Sequence, residues 1–206
     1  TRRTKSMPRG KKGQTPKKPG AMRAVMIAAG AVTLIACVLI CILIFAGTPV
    51  TGGWYSERSN TALVFAEDGS VMLFSLAGKE EGKYSYNRLE GQGSIYPGQS
   101  KAFKVDKDDL IYDASETFKR AQEGFDAEDF VKCALCGYWS NKELAEVFEI
   151  RDGETAIIHT LHGDEGAAYD YGVAEGEGVI NYGGAQASFT ASTQQIEVNG
   201  AGTFVK

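Results

Sequence analysis

The sequence predicts an all-β fold, in which two tandem antiparallel meander barrels or sandwiches follow one N-terminal transmembrane helix. Three observations support this. Residues 24–46 form an apolar run without a charge, and the rest of the chain consists of short strand patterns separated by turns. This second part also repeats once, so that Trp54 returns as Trp139, 85 residues later. A repeat of this kind predicts a duplicated structural unit.

Charge is distributed unevenly along the chain. Residues 1–23 contain nine basic side chains and no acidic ones, whereas the residues after Gly47 contain 13 basic and 26 acidic ones, a net charge of −13. The Lys, Pro and Gly composition of residues 1–23 is typical of a disordered tail. The acidic part would repel phosphate groups, so we expect no nucleic acid as a partner.

Residues 24–46 are 23 residues long, enough for the roughly 20 apolar residues that span a bilayer. The basic residues just before them predict a single-pass membrane protein with a cytoplasmic N-terminus, the lipid bilayer as a partner, and residues 50–206 outside the cytoplasm. The alternative is a cleaved or lipidated leader. This alternative is suggested by the residues Leu34-Ile35-Ala36-Cys37, which resemble a bacterial lipobox. Cys37 would then be the lipidated residue.

The repeat divides the remaining chain into β domains at 50–121 and 136–206, joined by a linker at 122–135. The matches follow the same order in both copies, with one or two single-residue shifts. They are Asp68-Gly69 with Asp152-Gly153, Glu81-Gly82 with Glu165-Gly166, Tyr84 and Tyr86 with Tyr169 and Tyr171, Gly93 with Gly178, Ile95 with Ile180, Ile111 with Ile196, and Phe118 with Phe204.

Each copy is predicted to be built from hairpins. Residues 61–76 (TALVFAEDGSVMLFSL) contain two β-rich runs joined through Asp-Gly, a strong hairpin signal, and residues 147–161 repeat the unit. Within residues 71–76 the side chains alternate with a period of two, as expected for a strand. Roughly six to eight such strands per copy predict a sheet that closes into a small barrel or sandwich.

These motifs resemble the small lipocalin-like domains of exported or membrane-anchored proteins of Gram-positive bacteria, which are mostly of unknown function. The resemblance covers residues 50–206 as two copies. It implies a β-meander barrel that can enclose a ligand cavity, and it names no ligand. The residues that carry it are Gly53-Trp54, Asp68-Gly69 and Gly82-Lys83-Tyr84 in the first copy, and Gly137-Tyr138-Trp139, Asp152-Gly153 and Gly166 in the second.

Aromatic side chains are the candidate ligand-binding residues. A tryptophan can form the floor of a pocket and a tyrosine can stack on a sugar. The alternative is structural, because a tryptophan can fill a barrel core and tyrosines pack across strands. The candidates are Trp54, Tyr84, Tyr86, Trp139, Tyr169 and Tyr171.

Cys133 and Cys136 form a C-x-x-C pair just before the second copy, where the first copy has Thr48 and Thr51. In an oxidising compartment the pair is a disulfide candidate, although so small a loop limits its stabilising effect, and free thiols are the alternative. We expect the pair to be a local addition at the domain junction on which the fold does not depend.

His159 and His162 are the only histidines, and with Cys133 and Cys136 they give C-x2-C-x22-H-x2-H, which superficially resembles a zinc set. The histidines fall in or beside a predicted strand, where positions i and i+3 point to opposite faces. We therefore expect no metal and no other cofactor. A metal or redox module built on these four residues is kept as an alternative.

An acidic stretch, DKDDLIYD, suggests calcium at first sight. It lacks the glycine and the final Glu of an EF-hand loop, and the second copy has no such cluster, so a solvated turn is the preferred interpretation. The residues concerned are Asp106, Asp108, Asp109 and Asp113.

The sequence contains neither a recognisable nucleophile–base arrangement nor a phosphate-binding loop, so we expect no enzymatic activity. It predicts a membrane-anchored extracytoplasmic protein that binds a protein, a glycan or a small apolar ligand. The alternative is a structural or scaffold role as an accessory protein of the cell envelope or secretion machinery.

Overall fold

The computed structural model describes residues 35, 37–39, 49–96, 100–152 and 154–206. The chain forms two compact units, residues 1–46 and residues 47–206. In the first unit, residues 35 and 37–39 are helical and exposed. No helix within the described part of the chain is both long and apolar enough to cross a membrane. The predicted tail at 1–23 lies outside the described residues, as does most of the predicted span at 24–46.

The second unit contains two closed antiparallel barrels of eight strands each, which confirms the predicted all-β duplication. Barrel 1 closes where β8 pairs with β1, and barrel 2 where β16 pairs with β9. Barrel 1 consists of β1 (Gly52–Ser56), β2 (Thr61–Phe65), β3 (Ser70–Ser75), β4 (Gly78–Asn87), β5 (Gln92–Tyr96), β6 (Lys101–Asp106), β7 (Asp109–Tyr112) and β8 (Glu116–Arg120). Barrel 2 consists of β9 (Gly137–Asn141), β10 (Glu146–Arg151), β11 (Thr155–Thr160), β12 (Gly163–Gly172), β13 (Glu177–Tyr182), β14 (Ala185–Ala191), β15 (Gln195–Val198) and β16 (Gly202–Val205).

The Asp-Gly hairpin predicted between β2 and β3 is present. The Asp68 carboxylate accepts a hydrogen bond from the Ser70 N–H at 2.9 Å, and Gly69 has a φ of +87°, a conformation that favours glycine. The Asp68 side chain therefore stabilises the turn that brings β2 and β3 into register.

The strand register refines the predicted repeat. After the hairpin between β5 and β6 the offset between the copies is one residue larger, so Leu110 occupies the position of Ile196. Leu110 is fully buried opposite Phe118, as Ile196 is opposite Phe204. The predicted match of Ile111 with Ile196 is wrong, since Ile111 lies on the outer face and is 38% exposed.

Within the predicted linker, a short helix, α1 (Ala127–Lys132), precedes a 3₁₀ turn (Cys133–Leu135). The Asp126 carboxylate caps α1 by accepting hydrogen bonds from the N–H groups of Glu128 and Asp129. Val131 on this helix is fully buried. The sequence predicts only a linker here, whereas in the structure the segment contributes to the core.

One continuous apolar core joins α1, the interior of barrel 2 and the outer face of β2 and β3, which contributes Ala62 and Phe74. The interior of barrel 1 is a separate core around Trp54. This arrangement explains why β2 and β3 are apolar on both faces: one face fills barrel 1, and the other packs against the neighbouring barrel.

A second contact between the barrels is made by the turn between β3 and β4. Leu76 is buried there, and its carbonyl accepts a hydrogen bond from the Tyr171 hydroxyl of barrel 2. The Lys79 N–H donates to the carbonyl of Ala174 in the turn between β12 and β13 at 3.2 Å. The two barrels therefore share both side-chain packing and backbone hydrogen bonds.

Candidate functional site

Both tryptophans predicted as ligand-binding candidates are fully buried. The Trp54 indole donates to the Val50 carbonyl and the Trp139 indole to the Leu135 carbonyl, each at 2.7 Å. A cation lies over each ring, with the Arg120 guanidinium 4.2 Å from the ring centroid of Trp54 and the Lys206 amine 4.9 Å from that of Trp139. A ligand would have to displace that cation to reach the indole ring.

The four candidate tyrosines differ in burial between the copies. Tyr169 and Tyr171 are buried, which raises the pKa of each phenol to about 12. Tyr84 and Tyr86 are partly buried, and burial raises their pKa as well. Both line a cavity of about 400 Å³ at one end of barrel 1, together with Arg88.

The equivalent end of barrel 2 holds the C-x-x-C pair. Cys136 takes the place of Thr51, and Tyr169 that of Tyr84. The cavity here has a volume of about 350 Å³, and its lining is rich in carboxylates and thiols. It is lined by Asp129, Lys132, Cys133, Cys136, Asp152, Glu154 and Tyr169.

Both thiols in this cavity are free in the structure. The Cys136 thiol donates a hydrogen bond to the Asp152 carboxylate at 3.0 Å. Burial, with this hydrogen bond and the charge of Asp152, raises the pKa of Cys136 to about 12, and burial also raises the pKa of Cys133. These protonated thiols are poor nucleophiles, since the thiolate is the reactive form. The predicted disulfide stays a prediction.

The histidines lie apart from this cavity. The two ring nitrogens of His159 contact the carboxylates of Asp164 at 2.9 Å and Glu149 at 3.1 Å, and these hydrogen bonds raise its pKa. His162 is exposed in the turn after β11. Among the residues that the structure describes, no group of three or more His, Cys, Asp or Glu side chains could hold a metal ion. The structure therefore does not bring the two cysteines and two histidines together.

The acidic stretch surrounds the hairpin of β6 and β7. Asp106 and Asp109 are paired across the two strands, and the Asp109 carboxylate forms an ion pair with Lys119 at 2.6 Å. Asp113 follows β7 in a left-handed conformation with a φ of +49°. Asp106, Asp108 and Asp113 are exposed and Asp109 is half-buried, as expected of a solvated turn.

A further concave surface, which the sequence did not predict, lies on the outside of barrel 1. We call it the barrel 1 groove. It has a volume of about 700 Å³ and lies mainly on the outer face of β4 to β7. Ser85 is paired with Ser94 across the strands, and Asn87 with Gln92, so four uncharged polar side chains form one wall. The remaining lining residues are Tyr86, Gly93, Ala102, Phe103, Lys104, Ile111 and Ala114.

Gly93 shapes the floor of the barrel 1 groove. A Cβ atom at this position would overlap the ring of Phe103 and lie 2.5 Å from the Ser85 carbonyl oxygen. The absence of a side chain therefore lets Phe103 lie directly against β5. Of the outward-facing residues that line the groove only Lys104 is charged, and this low density of charge, in a domain whose surface is rich in charges, is the signal that the sequence contains.

Barrel 2 has a groove at the equivalent position, which we call the barrel 2 groove. Its volume is about 470 Å³, and its lining is more acidic than that of the barrel 1 groove. Glu177 stands where barrel 1 has Gln92, and Glu197 where it has Ile111. Duplication therefore produced two grooves of the same origin, one nearly uncharged and one acidic.

No protein-family model matches the chain, and no curated protein is significantly similar to it. The lipocalin-like resemblance and the bacterial context therefore stay predictions. Function has to be inferred from the geometry of the barrels.

Proposed function

We propose that the protein is a membrane-anchored, extracytoplasmic binding protein that holds an uncharged glycan in the barrel 1 groove. The membrane anchor is the one predicted at residues 24–46. The observation that carries the proposal is a groove of about 700 Å³ on the outside of a filled barrel, lined by polar and apolar side chains with Lys104 as the one charged residue among them. Binding sites of this kind combine apolar surface with a few placed polar groups.

The interior of barrel 1 supports the choice of an outer site. Its core contains ten buried apolar residues, four of them aromatic. Phe65 packs against both Phe103 and Tyr84, with ring centroids 5.4 Å and 4.9 Å apart. A small apolar ligand inside the barrel would have to displace these rings, and lost packing of one buried aromatic costs about 3–5 kcal/mol.

The polar wall of the groove suits sugar hydroxyl groups. The Asn87 and Gln92 side chains each offer a carbonyl acceptor and two N–H donors. The Ser85 and Ser94 hydroxyl groups can each donate or accept a hydrogen bond. Directly paired positions are about 4.5–5.5 Å apart at Cβ, close enough to engage neighbouring hydroxyl groups. Ile111 adds apolar surface that can face the apolar side of a sugar ring.

Two other classes of ligand are less suitable. An extended peptide often adds a strand to a sheet edge, but every strand of these closed barrels already has two neighbours. An anionic polymer would meet the net charge of −13 that the residues after Gly47 carry. An uncharged glycan avoids both obstacles.

The test is a binding screen of the full chain in detergent micelles against neutral oligosaccharides, followed by calorimetry on the best ligand. The double variant Gln92→Glu, Ile111→Glu gives the barrel 1 groove the acidic residues of its counterpart. We expect affinity to fall about ten-fold or more, a loss of about 1.4 kcal/mol. The matched control, Glu177→Gln with Glu197→Ile, changes the barrel 2 groove and should leave affinity unchanged. Equal affinity of the first variant and the wild type would contradict the proposal.

A scaffold role in the cell envelope is the second candidate. The observation that favours it is the apolar core shared through α1, which holds the two barrels as one body. A scaffold needs the barrels and their spacing but not the lining of the groove. It predicts that the Gln92→Glu, Ile111→Glu variant still supports envelope assembly in cells.

A further inference from the structure

The internal contact between the barrels pairs two elements, which we call the hairpin tip and the docking turn. The hairpin tip is residues 75–79 of barrel 1, and the docking turn is residues 171–176 of barrel 2. Leu76 and Val173 are both buried at this contact. A Cβ atom on Gly176 would lie 2.5 Å from the Ala77 backbone, so the two elements touch directly.

Barrel 2 has its own hairpin tip, residues 160–164, with the same conformation. Gly78 and Gly163 share a φ of +129°. In one tip the Ser75 hydroxyl donates to the Gly78 carbonyl at 3.2 Å, and in the other the Thr160 hydroxyl donates to the Gly163 carbonyl at 2.9 Å. Leu161 therefore takes the position of Leu76, yet it is 83% exposed.

Barrel 1 has its own docking turn, residues 86–91. Leu89 takes the position of Ala174, the residue whose carbonyl is bonded in the internal contact, and it is 69% exposed. Arg88 takes the position of Val173 and lines the cavity of about 400 Å³ at the end of barrel 1. Leu161 and Leu89 are the two most exposed large apolar side chains in the described part of the chain.

We propose that the chain associates head to tail with copies of itself: the hairpin tip at 160–164 of one copy docks on the turn at 86–91 of the next. The contact repeats the one that the two barrels already make within each chain. The internal contact leaves a complementary pair of surfaces exposed, one on the tip of barrel 2 and one on the turn of barrel 1. A contact between two different surfaces of identical chains builds rings or open filaments rather than closed pairs.

Charge complementarity supports this choice of partner. In the internal contact, Lys79 of the tip lies beside the docking turn, where its N–H bonds the Ala174 carbonyl. Asp164 stands at the position of Lys79, and the docking turn of barrel 1 carries one basic residue, Arg88, with which Asp164 can pair, and one acidic residue, Glu90. A contact of tip with tip would instead bring two Asp164 carboxylates together, so docking on the turn is the favoured pairing.

The contact between copies should be weaker than the internal one. Inside the chain, Phe74 on the outer face of barrel 1 also packs into the core that α1 shares. The equivalent position on barrel 2 is His159, which forms ion pairs with Glu149 and Asp164. Without this apolar packing, the interface falls in the small, weak class, so association is expected at micromolar concentrations of about 10–100 µM.

The experiment is sedimentation velocity of the full chain in a density-matched detergent between about 1 and 100 µM, a range that brackets weak association. The wild type should form dimers and larger species as concentration rises. Leu161→Asp and Leu89→Asp should each stay monomeric. Tyr138→Asp is the control, since Tyr138 is an exposed apolar residue of β9 that is paired with Glu149, away from the barrel end that carries the tip, and this variant should associate like the wild type.

Mixing the two contact variants gives the decisive result. Leu161→Asp keeps an intact docking turn and Leu89→Asp keeps an intact hairpin tip, so the mixture should form one-to-one dimers and nothing larger. A contact between two identical surfaces would not be restored by mixing. A wild type that stays monomeric at the highest concentration, a mixture without dimers, or association that survives both substitutions would overturn the proposal.

Discussion

The hydroxyl group of Tyr171, inside barrel 2, donates a hydrogen bond to the carbonyl of Leu76, in a turn of barrel 1. Both residues are buried, although 95 positions separate them in the chain. An unmade hydrogen bond at a buried site costs about 1–3 kcal/mol, so neither barrel is expected to keep its full stability without the other. The two barrels should therefore unfold together.

Gly176 is the residue at which this contact can be tested without changing a polar group. It has a φ of +73°, and an added Cβ atom would lie 2.5 Å from the Ala77 backbone. We expect Gly176→Ala to lower the free energy of unfolding by about 1–3 kcal/mol, from backbone strain and the forced separation of the turns. Urea unfolding followed by tryptophan fluorescence measures the change.

Gly166→Ala is the control for this variant. Gly166 has no atom within 4 Å of an added Cβ. Its effect should stay within about 0.5 kcal/mol, as for most surface substitutions. A Gly176→Ala variant as stable as Gly166→Ala would show that the turn contact does not contribute to stability.

The fold could be predicted from local signals, because hairpins are encoded by neighbouring residues. Asp68-Gly69 fixes a turn, and the alternation in residues 71–76 fixes a strand, so the repeat of both implied two similar β domains. The prediction was wrong about the register between the two copies after the hairpin between β5 and β6, because that hairpin differs in length from its counterpart. The sequence match pairs Ile111 with Ile196, whereas Leu110 has the equivalent buried position.

The contact between the barrels and the outer groove could not be predicted in this way. Leu76 and Leu161 end the same hairpin motif, yet one is buried and the other exposed. The difference comes from a turn nearly a hundred residues away, which no local pattern reports. The groove likewise depends on which side chains of β4 to β7 share the outer face, and this is set by the register across four strands rather than by a single local pattern.

Cys136 provides a chemical test of the cavity at the end of barrel 2. Its pKa is raised to about 12, first by burial and then by the hydrogen bond to Asp152. After reduction, the thiol should react with iodoacetamide at pH 8 at least about a hundred-fold more slowly than a free cysteine, since only the thiolate attacks. Mass spectrometry of the alkylated peptide over time gives the rate.

Asp152→Asn removes the negative charge and the carboxylate acceptor, so it should lower the pKa of Cys136 and speed alkylation. Asp170→Asn changes an exposed carboxylate on the outer face of β12 and should have no effect. Equal rates in the two variants would mean that Asp152 does not control the thiol. Spectra taken before reduction also test the predicted disulfide between Cys133 and Cys136.

His159 should make stability depend on pH. The hydrogen bonds that its ring N–H groups donate, to the Asp164 carboxylate first and then to that of Glu149, raise its pKa above the ordinary value of 6.5. A histidine with a raised pKa in the folded state contributes stability that is fully present below pH 6.5, and this contribution is lost as pH rises through the folded pKa. The stability difference between the wild type and His159→Gln should therefore shrink as the pH is raised from 6 through that range.

An NMR titration of the imidazole signals measures the same effect directly, with His162→Gln used to assign the two histidines. Asp164→Asn should lower the pKa of His159, because it removes the largest cause of the shift. It should also reduce the pH dependence of the unfolding free energy. If the pKa of His159 is the same in wild type and Asp164→Asn, the ion pair does not form in solution, and the electrostatic account of this barrel face is wrong.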